Sequence, residues 1–239
     1  MGKRIETTHP THHAPRWWWN VREIVLGAND GLVSTLAFVA GAAAAVPDPD
    51  IILLATIVEV VAGSISMGFG AWVASRSRRE LEQRELAVEH GHLRDRPREE
   101  QEELEDYLFR HGLEESEVRD MSRIVRKNPE LFLSMMGGLE LGVQAVPEAP
   151  GRAGLSMAAA FALGAMPALL PFLFIERPFT ALSVAFCASL AFLVGVGIWR
   201  SHIGATRRSR SILEMIMVGA IATAAGFFLG HLAAAIIGG

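Results

Sequence analysis

The sequence predicts an all-α, polytopic membrane protein in which five transmembrane helices carry a polar helical insert between the second and the third. Hydrophobic residues make up 51% of the 239-residue chain, and most lie in five segments that approach the roughly 20 apolar residues needed to span a bilayer. An acidic, polar stretch at residues 76–150 separates the second segment from the third. Lysine and arginine are concentrated in the segments predicted to lie on one side of the membrane, and this asymmetry predicts the orientation of the spans.

Changes in polarity divide the chain into four parts. They are a flexible cytoplasmic tail at 1–20, the first two spans at 21–75, the cytoplasmic insert at 76–150 and the last three spans at 151–239. Three consecutive tryptophans, Trp17–Trp19, lie near the end of the tail, a composition typical of the membrane–water interface. The tail also contains three histidines that either bind a metal loosely or are simply solvated: His9, His12 and His13.

The first span, Ile24–Val46, contains an aspartate within its apolar sequence. The triplet Asn29-Asp30-Gly31 is a turn signal in a soluble protein, and inside a membrane it predicts a locally loosened helix whose polar groups face protein or water. Gly27 lies four residues before Gly31, a spacing of small residues that permits the close approach of another helix.

The second span, Ile51–Ser75, contains a carboxylate, Glu59, in its interior. An ionisable group at the centre of a bilayer costs about 3 kcal/mol, so we expect Glu59 to face the bundle interior, a partner or an aqueous path. Pro47–Asp50 is too short for anything but a tight turn. The first two spans are therefore predicted to form an antiparallel hairpin.

Three side chains of this hairpin are candidate metal ligands. Glu59, Gly63 and Met67 follow one another at four-residue intervals and therefore lie on one stripe of the helix. At about 1.5 Å per residue, Asp30 and Met67 lie at a similar depth, with Glu59 about 12 Å nearer the connecting turn. Carboxylates and a thioether are hard and soft ligands for a divalent transition metal, although a packing role explains Met67 alone. The arrangement predicts a polar path with ligands at two levels.

The insert is predicted to form four helices. The first continues the second span into water and has four potential ligands on one face: Glu82, Glu85, Glu89 and His92. The second begins near Pro97, because proline suits the first helical position, and ends at Gly112. The remaining two are Glu114–Lys127 and a helix that begins at Asn128-Pro129.

Acidic side chains of the insert allow two interpretations. The second helix has four of them on adjoining faces: Glu99, Glu100, Glu103 and Asp106. In the fourth helix, Met136 and Glu140 are four residues apart, which repeats the carboxylate-plus-thioether pattern of the membrane stripe. The insert is therefore either a solvated acidic domain or a metal-binding domain.

Three further spans follow the insert, at Ala153–Ile175, Phe179–Trp199 and Ile212–Ile237. Two prolines in the third span are tolerated where neighbouring helices re-satisfy the backbone. With the N-terminus in the cytoplasm, the tail, the insert and the basic 200–210 loop share one side and contain nearly every lysine and arginine. The positive-inside rule therefore predicts a cytoplasmic N-terminus and a C-terminus on the opposite side.

The segment Arg22–Thr35, with the sequence REIVLGANDGLVST, resembles the first-helix signature of the vacuolar iron transporter family. Further matches follow in order along the chain: Glu59 with AGSISMG at 62–68, RKNP at 126–129, Met135-Met136 with Glu140-Leu141-Gly142, and PALLP at 167–171. Together these motifs cover essentially the whole chain from residue 22 onward.

The resemblance implies a homodimer of five-helix subunits whose translocation path lies at the dimer interface, between the first two helices of each subunit. It implies transport of Fe²⁺, and of Mn²⁺ or other divalent metals, out of the cytosol in exchange for protons, for iron detoxification or storage. Asp30, Glu59 and Met67 would be the pore ligands. Because a carboxylate can bind a proton when the metal leaves, we hypothesise that Glu59 is the group that couples transport to protons.

The same resemblance implies a cytoplasmic platform that captures metal. Its ligands match five residues by position: Glu89, Glu100, Glu103, Met136 and Glu140. His92 stands where a glutamate is expected and remains a competent ligand. Glu23 stands where some members have an aspartate, at the cytoplasmic mouth.

Two other functional classes make different demands on the sequence. A membrane-embedded metalloenzyme needs a compact cluster of four or more ligands, whereas the span interiors offer only Asp30 and Glu59, so we expect no enzyme. A metal-sensing or metal-binding membrane protein without transport would use the insert and would not need Glu59.

We expect no resident cofactor and no nucleic-acid partner, and the single Cys187 excludes an intramolecular disulfide. The expected location is the plasma membrane for a bacterial protein and the vacuolar membrane for a eukaryotic one.

Overall fold

The structure, a computed structural model, describes residues 21–139, 149–204 and 208–237. These residues form eight helices and no strand: α1 (Val21–Ala45), α2 (Pro49–Asp95), α3 (Pro97–Arg110), α4 (Glu115–Arg126), α5 (Pro129–Leu139), α6 (Pro150–Phe174), α7 (Pro178–Gly204) and α8 (Arg208–Ile237). They separate into two compact units. The first contains α1, α2 up to Val73 and α6–α8, and the second contains α2 from Ala74 onward and α3–α5.

Five helices are long and apolar enough to cross a membrane: α1, α2, α6 and the parts of α7 and α8 at Pro178–Trp199 and Ile212–Ile236. The predicted all-α polytopic fold with five spans is therefore confirmed. Five of the described helices begin with proline: Pro49, Pro97, Pro129, Pro150 and Pro178. Proline suits this position because its φ angle is already helical and its missing N–H would have no partner in the first turn.

Helix α1 packs against α6, α7 and α8 and so forms the centre of the first unit. Gly27 and Gly31 lie directly on the backbone of α6, and a Cβ atom added at Gly27 would stand 2.7 Å from the carbonyl oxygen of Met157. The predicted close approach through small residues is thus confirmed. The predicted local loosening at Asn29–Gly31 is wrong, because α1 is α-helical from end to end. Gly31 lies in close contact with the Phe161 backbone and does not form a turn.

Helices α1 and α8 approach each other through a second set of small residues. Gly226 lies on the backbone of Ala37 and Gly230 on that of Gly41, so the two helices run in the same direction. A Cβ atom at Gly41 would stand 2.9 Å from the carbonyl oxygen of Gly226. Such contacts allow van der Waals packing of backbones, which is a main source of helix association in lipid.

The second unit is built around an apolar cluster contributed by α3, α4 and α5: Leu104, Leu108, Val118, Val125, Phe132 and Met136. The predicted end of α3 is confirmed, since Gly112 has a φ angle of +91°, a conformation that favours glycine. Helix α4 begins with a capping box between Glu114 and Glu117. Asn128 caps α5, as predicted, by accepting the Leu131 N–H at 3.2 Å. Local sequence signals therefore place these three short helices.

Candidate metal sites

The first unit contains a carboxylate on α2 that is held by two hydroxyl groups of α1. The hydroxyl of Thr35 donates a hydrogen bond of 2.9 Å to Oε2 of Glu59, and the hydroxyl of Ser34 donates one of 3.3 Å to Oε1. Thr35 is completely buried, and Glu59 is half-buried. Helix α1 therefore supplies one donor to each oxygen of a carboxylate on α2.

Ser34 and Thr35 were not among the predicted site residues. They belong to the motif at Arg22–Thr35. Two adjacent hydroxyl side chains one turn after Asp30 are the sequence signal that could have identified them as part of the site. Thr35 follows Asp30 by five residues, which corresponds to about 7.5 Å along α1. The point on α1 to which Glu59 bonds is therefore closer to the level of Asp30 than the separation of about 12 Å predicted from the span ends.

The stripe of Glu59, Gly63 and Met67 has a defined orientation in the first unit. Glu59 faces α1, and the ring of Phe161 on α6 lies against Gly63, where an added Cβ atom would stand 2.6 Å from Cε1 of the ring. Met67 and Asp30 are both half-buried. The next residue along α2, Gly68, packs on α6, with its added Cβ at 2.9 Å from that of Ala158. This side of α2 therefore faces the helix bundle over two turns.

An open cavity of about 470 Å³ lies between α1 and α2. Its walls are apolar except for Glu59: Phe38, Ile51, Leu54, Ala55, Val58 and Ala62. The carboxylate thus has hydroxyl donors on one side and an accessible space on the other. This arrangement can present an anionic ligand to a cation in an otherwise apolar environment.

The second unit brings together three of the predicted cytoplasmic ligands. One ligand atom from each of Glu89, His92 and Glu100 lies within 4.8 Å of the others, and Nδ1 of His92 stands 3.6 Å from Oε1 of Glu100. Glu89 and His92 are one turn apart near the end of α2, and Glu100 follows in the first turns of α3. The short elbow between the two helices therefore assembles the group.

Burial makes this cluster a strong candidate for cation binding. Only 8% of Glu89 and 4% of Glu100 is exposed, whereas His92 is accessible. Oε1 of Glu89 is buried and accepts no hydrogen bond from any described residue. Neighbouring buried carboxylates repel one another unless a proton or a cation lies between them. Two carboxylates and an imidazole suit a divalent ion of borderline softness.

Of the other predicted cytoplasmic ligands, the structure describes Glu103 and Met136. Glu103 is exposed on α3 and does not belong to the cluster of three. Met136 is 1% exposed and packs in the apolar core of the second unit, beside Phe132 and Val125. Glu140 and the tail histidines lie outside the described residues.

Comparison with known proteins gives one consistent result. The model of the VIT family matches residues 21–231. Vacuolar iron transporter 1 of Arabidopsis thaliana is 33% identical over 210 residues, which cover 87% of this chain and 84% of the relative. The protein of the same name from Oryza sativa subsp. japonica is 29% identical over 225 residues, covering 92% and 89%. A vacuolar iron transporter of Plasmodium falciparum is 27% identical over 221 residues, covering 88% and 81%.

Proposed function

Because the chain belongs to the VIT family, we propose that it is a multi-pass membrane transporter of Fe²⁺, with Mn²⁺ and other divalent metals as further cargo. The names of its relatives support iron as the cargo. The observation that carries the proposal is Glu59, a membrane-embedded carboxylate held by two hydroxyls at the wall of an open cavity. Exporting iron from the cytosol would serve detoxification or storage.

Proton antiport follows from the charge of the proposed path. Asp30 and Glu59 offer two negative charges per chain, which balance one divalent cation or two protons. Met67 would add a sulfur ligand, which favours Fe²⁺ over Mg²⁺ and Ca²⁺. The Ser34 and Thr35 hydroxyls can donate hydrogen bonds to Glu59 when it is ionised and can accept a hydrogen bond from its O–H group when it is neutral. Exchange of metal for protons would therefore leave the net charge of the path unchanged.

A homodimer would complete this path. One face of α2 exposes large apolar residues at spacings of three and four: Ile51, Leu54, Val58, Val61 and Ile65. Three of them also line the cavity that contains Glu59. A carboxylate open to lipid is costly, so a second copy of α2 packed on this face would enclose the cavity. The path would then lie between the first two helices of each subunit.

The second unit would bind metal on the cytosolic side. The positive-inside rule supports a cytoplasmic N-terminus and a cytoplasmic insert, which places Glu89, His92 and Glu100 in the compartment that supplies the ion. The membrane would be vacuolar in a eukaryote and the plasma membrane in a bacterium. A sensor without transport would also use this cluster, but it gives no role to Glu59.

Flux measurements in proteoliposomes test the proposal. Uptake of Fe²⁺ and Mn²⁺ under an imposed pH gradient should follow the proton gradient and be lost in Asp30→Ala and Met67→Ala. Met217→Ala is a matched control, since Met217 is an exposed methionine on α8, and it should transport normally. Metal binding without flux in the wild-type protein would support the sensor and refute the transporter.

A further inference from the structure

A cavity in the second unit has no role in the proposed transport path. It is a partly open cavity of about 430 Å³, and six described residues line it: Leu93, Pro97, Arg98, Gln101, Arg126 and Phe132. This volume is within the range of about 300–1,000 Å³ found for small-molecule sites. Arg126 also opens the RKNP motif, to which neither metal site assigns a function.

The charged groups of this cavity are both cationic. Other arginines on or beside α3 and α4 form ion pairs with carboxylates three or four residues away: Arg96 with Glu99, Arg110 with Asp106, Arg119 with Glu115 and Arg123 with Asp120. Arg98 and Arg126 have no such partner among the residues that the structure describes. Two guanidinium groups that line one cavity favour an oxyanion, because guanidinium matches carboxylate and phosphate geometry.

A chain of hydrogen bonds holds Arg126 at the cavity wall. Nη1 of Arg126 donates to Oε1 of Gln101 at 3.2 Å, and Nε2 of Gln101 donates to Glu105 at 2.7 Å. Ser122 also donates to Glu105, at 2.8 Å. The bonds from Gln101 and Ser122 lower the pKa of Glu105, which keeps the acceptor at the end of the chain ionised. The amide of Gln101 is thereby oriented with its oxygen toward Arg126.

The lining of the cavity also includes the apolar side chains of Leu93, Pro97 and Phe132. Phe132 is 2% exposed and belongs to the core of the second unit, and Leu93 packs partly buried against the same core. These walls would contact the carbon skeleton of a ligand whose charged end meets the arginines. A bare inorganic ion would leave most of the volume unused.

We propose that this cavity binds a small organic oxyanion, held by Arg98 and Arg126 through its carboxylate or phosphate groups and by Leu93 and Phe132 through its carbon skeleton. The site borders the metal cluster in sequence, since Leu93 follows His92 and Gln101 follows Glu100. Its own residues are all distinct from the predicted metal ligands.

Isothermal titration of the full-length protein in detergent tests the proposal. The buffer is freed of metal with a resin, because a dissolved chelator is itself a polyanion. Citrate, ATP and inorganic phosphate are the probes, so that carboxylate and phosphate recognition are distinguished. We expect citrate or ATP to bind saturably with one site per chain and at least tenfold more tightly than inorganic phosphate.

Variants locate the site. Arg98→Gln and Arg126→Gln should each weaken binding about tenfold or more, and Arg126→Lys should restore only part of the affinity because it loses the planar fork. Arg110→Gln and Arg123→Gln remove the same charge from α3 and α4 and should leave binding unchanged. Arg98 is exposed, so Arg98→Gln decides the matter even if Arg126→Gln fails to fold. Absence of saturable binding, or equal loss in the control variants, would overturn the proposal.

Discussion

At the scale of single residues, the contact between Glu59 and Thr35 links packing to the proposed transport. Thr35 is completely buried and gives its hydroxyl to the carboxylate at 2.9 Å. A hydrogen bond to a charged group contributes about 1.5–3 kcal/mol. The orientation of Glu59 therefore depends on a side chain that is itself no metal ligand in the proposed path.

Thr35→Val tests this dependence because valine has nearly the same shape and lacks the hydroxyl. We expect metal flux in proteoliposomes to fall about tenfold or more, and Thr35→Ser to retain most of it. Thr56→Val is the control, since Thr56 is equally buried and its hydroxyl bonds to the Ile52 carbonyl of its own helix. Normal flux in Thr35→Val would show that Ser34 alone orients Glu59.

Glu105 gives a pH-dependent prediction. Its pKa is lowered from 4.5 by hydrogen bonds from Gln101 and Ser122, so it stabilises the folded state above the pKa of the unfolded chain. This contribution is lost as the pH falls through the lower, folded pKa. The difference in thermal midpoint between wild type and Glu105→Gln should be largest at neutral pH and shrink toward pH 3. Glu102→Gln, on the exposed face of α3, should show no such trend.

At the scale of the helices, the elbow between α2 and α3 assembles the metal cluster. Glu89→Gln or Glu100→Gln should remove one Mn²⁺ site per chain in calorimetric titration of the full-length protein, because each carboxylate is a buried member of the group. Glu102→Gln should keep that site. Glu103→Gln is informative, because the family resemblance implies that Glu103 is a metal ligand, whereas the structure does not include Glu103 in the cluster of three. Loss of the site in Glu103→Gln would mean that α3 rearranges when metal binds.

Packing of α1 on α6 depends on glycine at the contact. A side chain at Gly31 would overlap the Phe161 backbone, so Gly31→Ala should destabilise the folded protein by about 1–3 kcal/mol. The thermal midpoint in detergent measures this loss. Gly70→Ala places its methyl group in open space and should be neutral or slightly stabilising, because alanine is the better helix former. Equal midpoints for the two variants would contradict the packing of α1 on α6.

At the scale of the whole molecule, the exposed apolar face of α2 gives a test of dimer formation. Cys187 is the single cysteine, so Val61→Cys in a Cys187→Ser background places one thiol on this face. Oxidation in liposomes should convert most of the protein to a disulfide-linked dimer on a non-reducing gel. Ile221→Cys, at an exposed position of α8, should remain monomeric. Cross-linking at Ile221 instead would place the interface on α8.

The sequence by itself determined the features that depend on local physics. Hydropathy predicted the five spans because a bilayer selects for length and apolarity. Proline at helix starts, Asn128 as a cap and Gly112 after α3 predicted the helices of the insert, because each signal acts within a few residues. The i, i+4 spacing alone places Glu59, Gly63 and Met67 on one face of the helix, whatever that face packs against.

Only the tertiary structure decided which neighbouring helix each helix face contacts, and at which position along that neighbour the contact lies. It showed that Thr35 bonds to Glu59, that α1 is helical through Gly31, where α6 packs, and that Glu100 joins Glu89 and His92. These outcomes depend on the rotation and axial position of helices that are distant in sequence. Periodicity defines a face, but it does not define the partner that the face contacts.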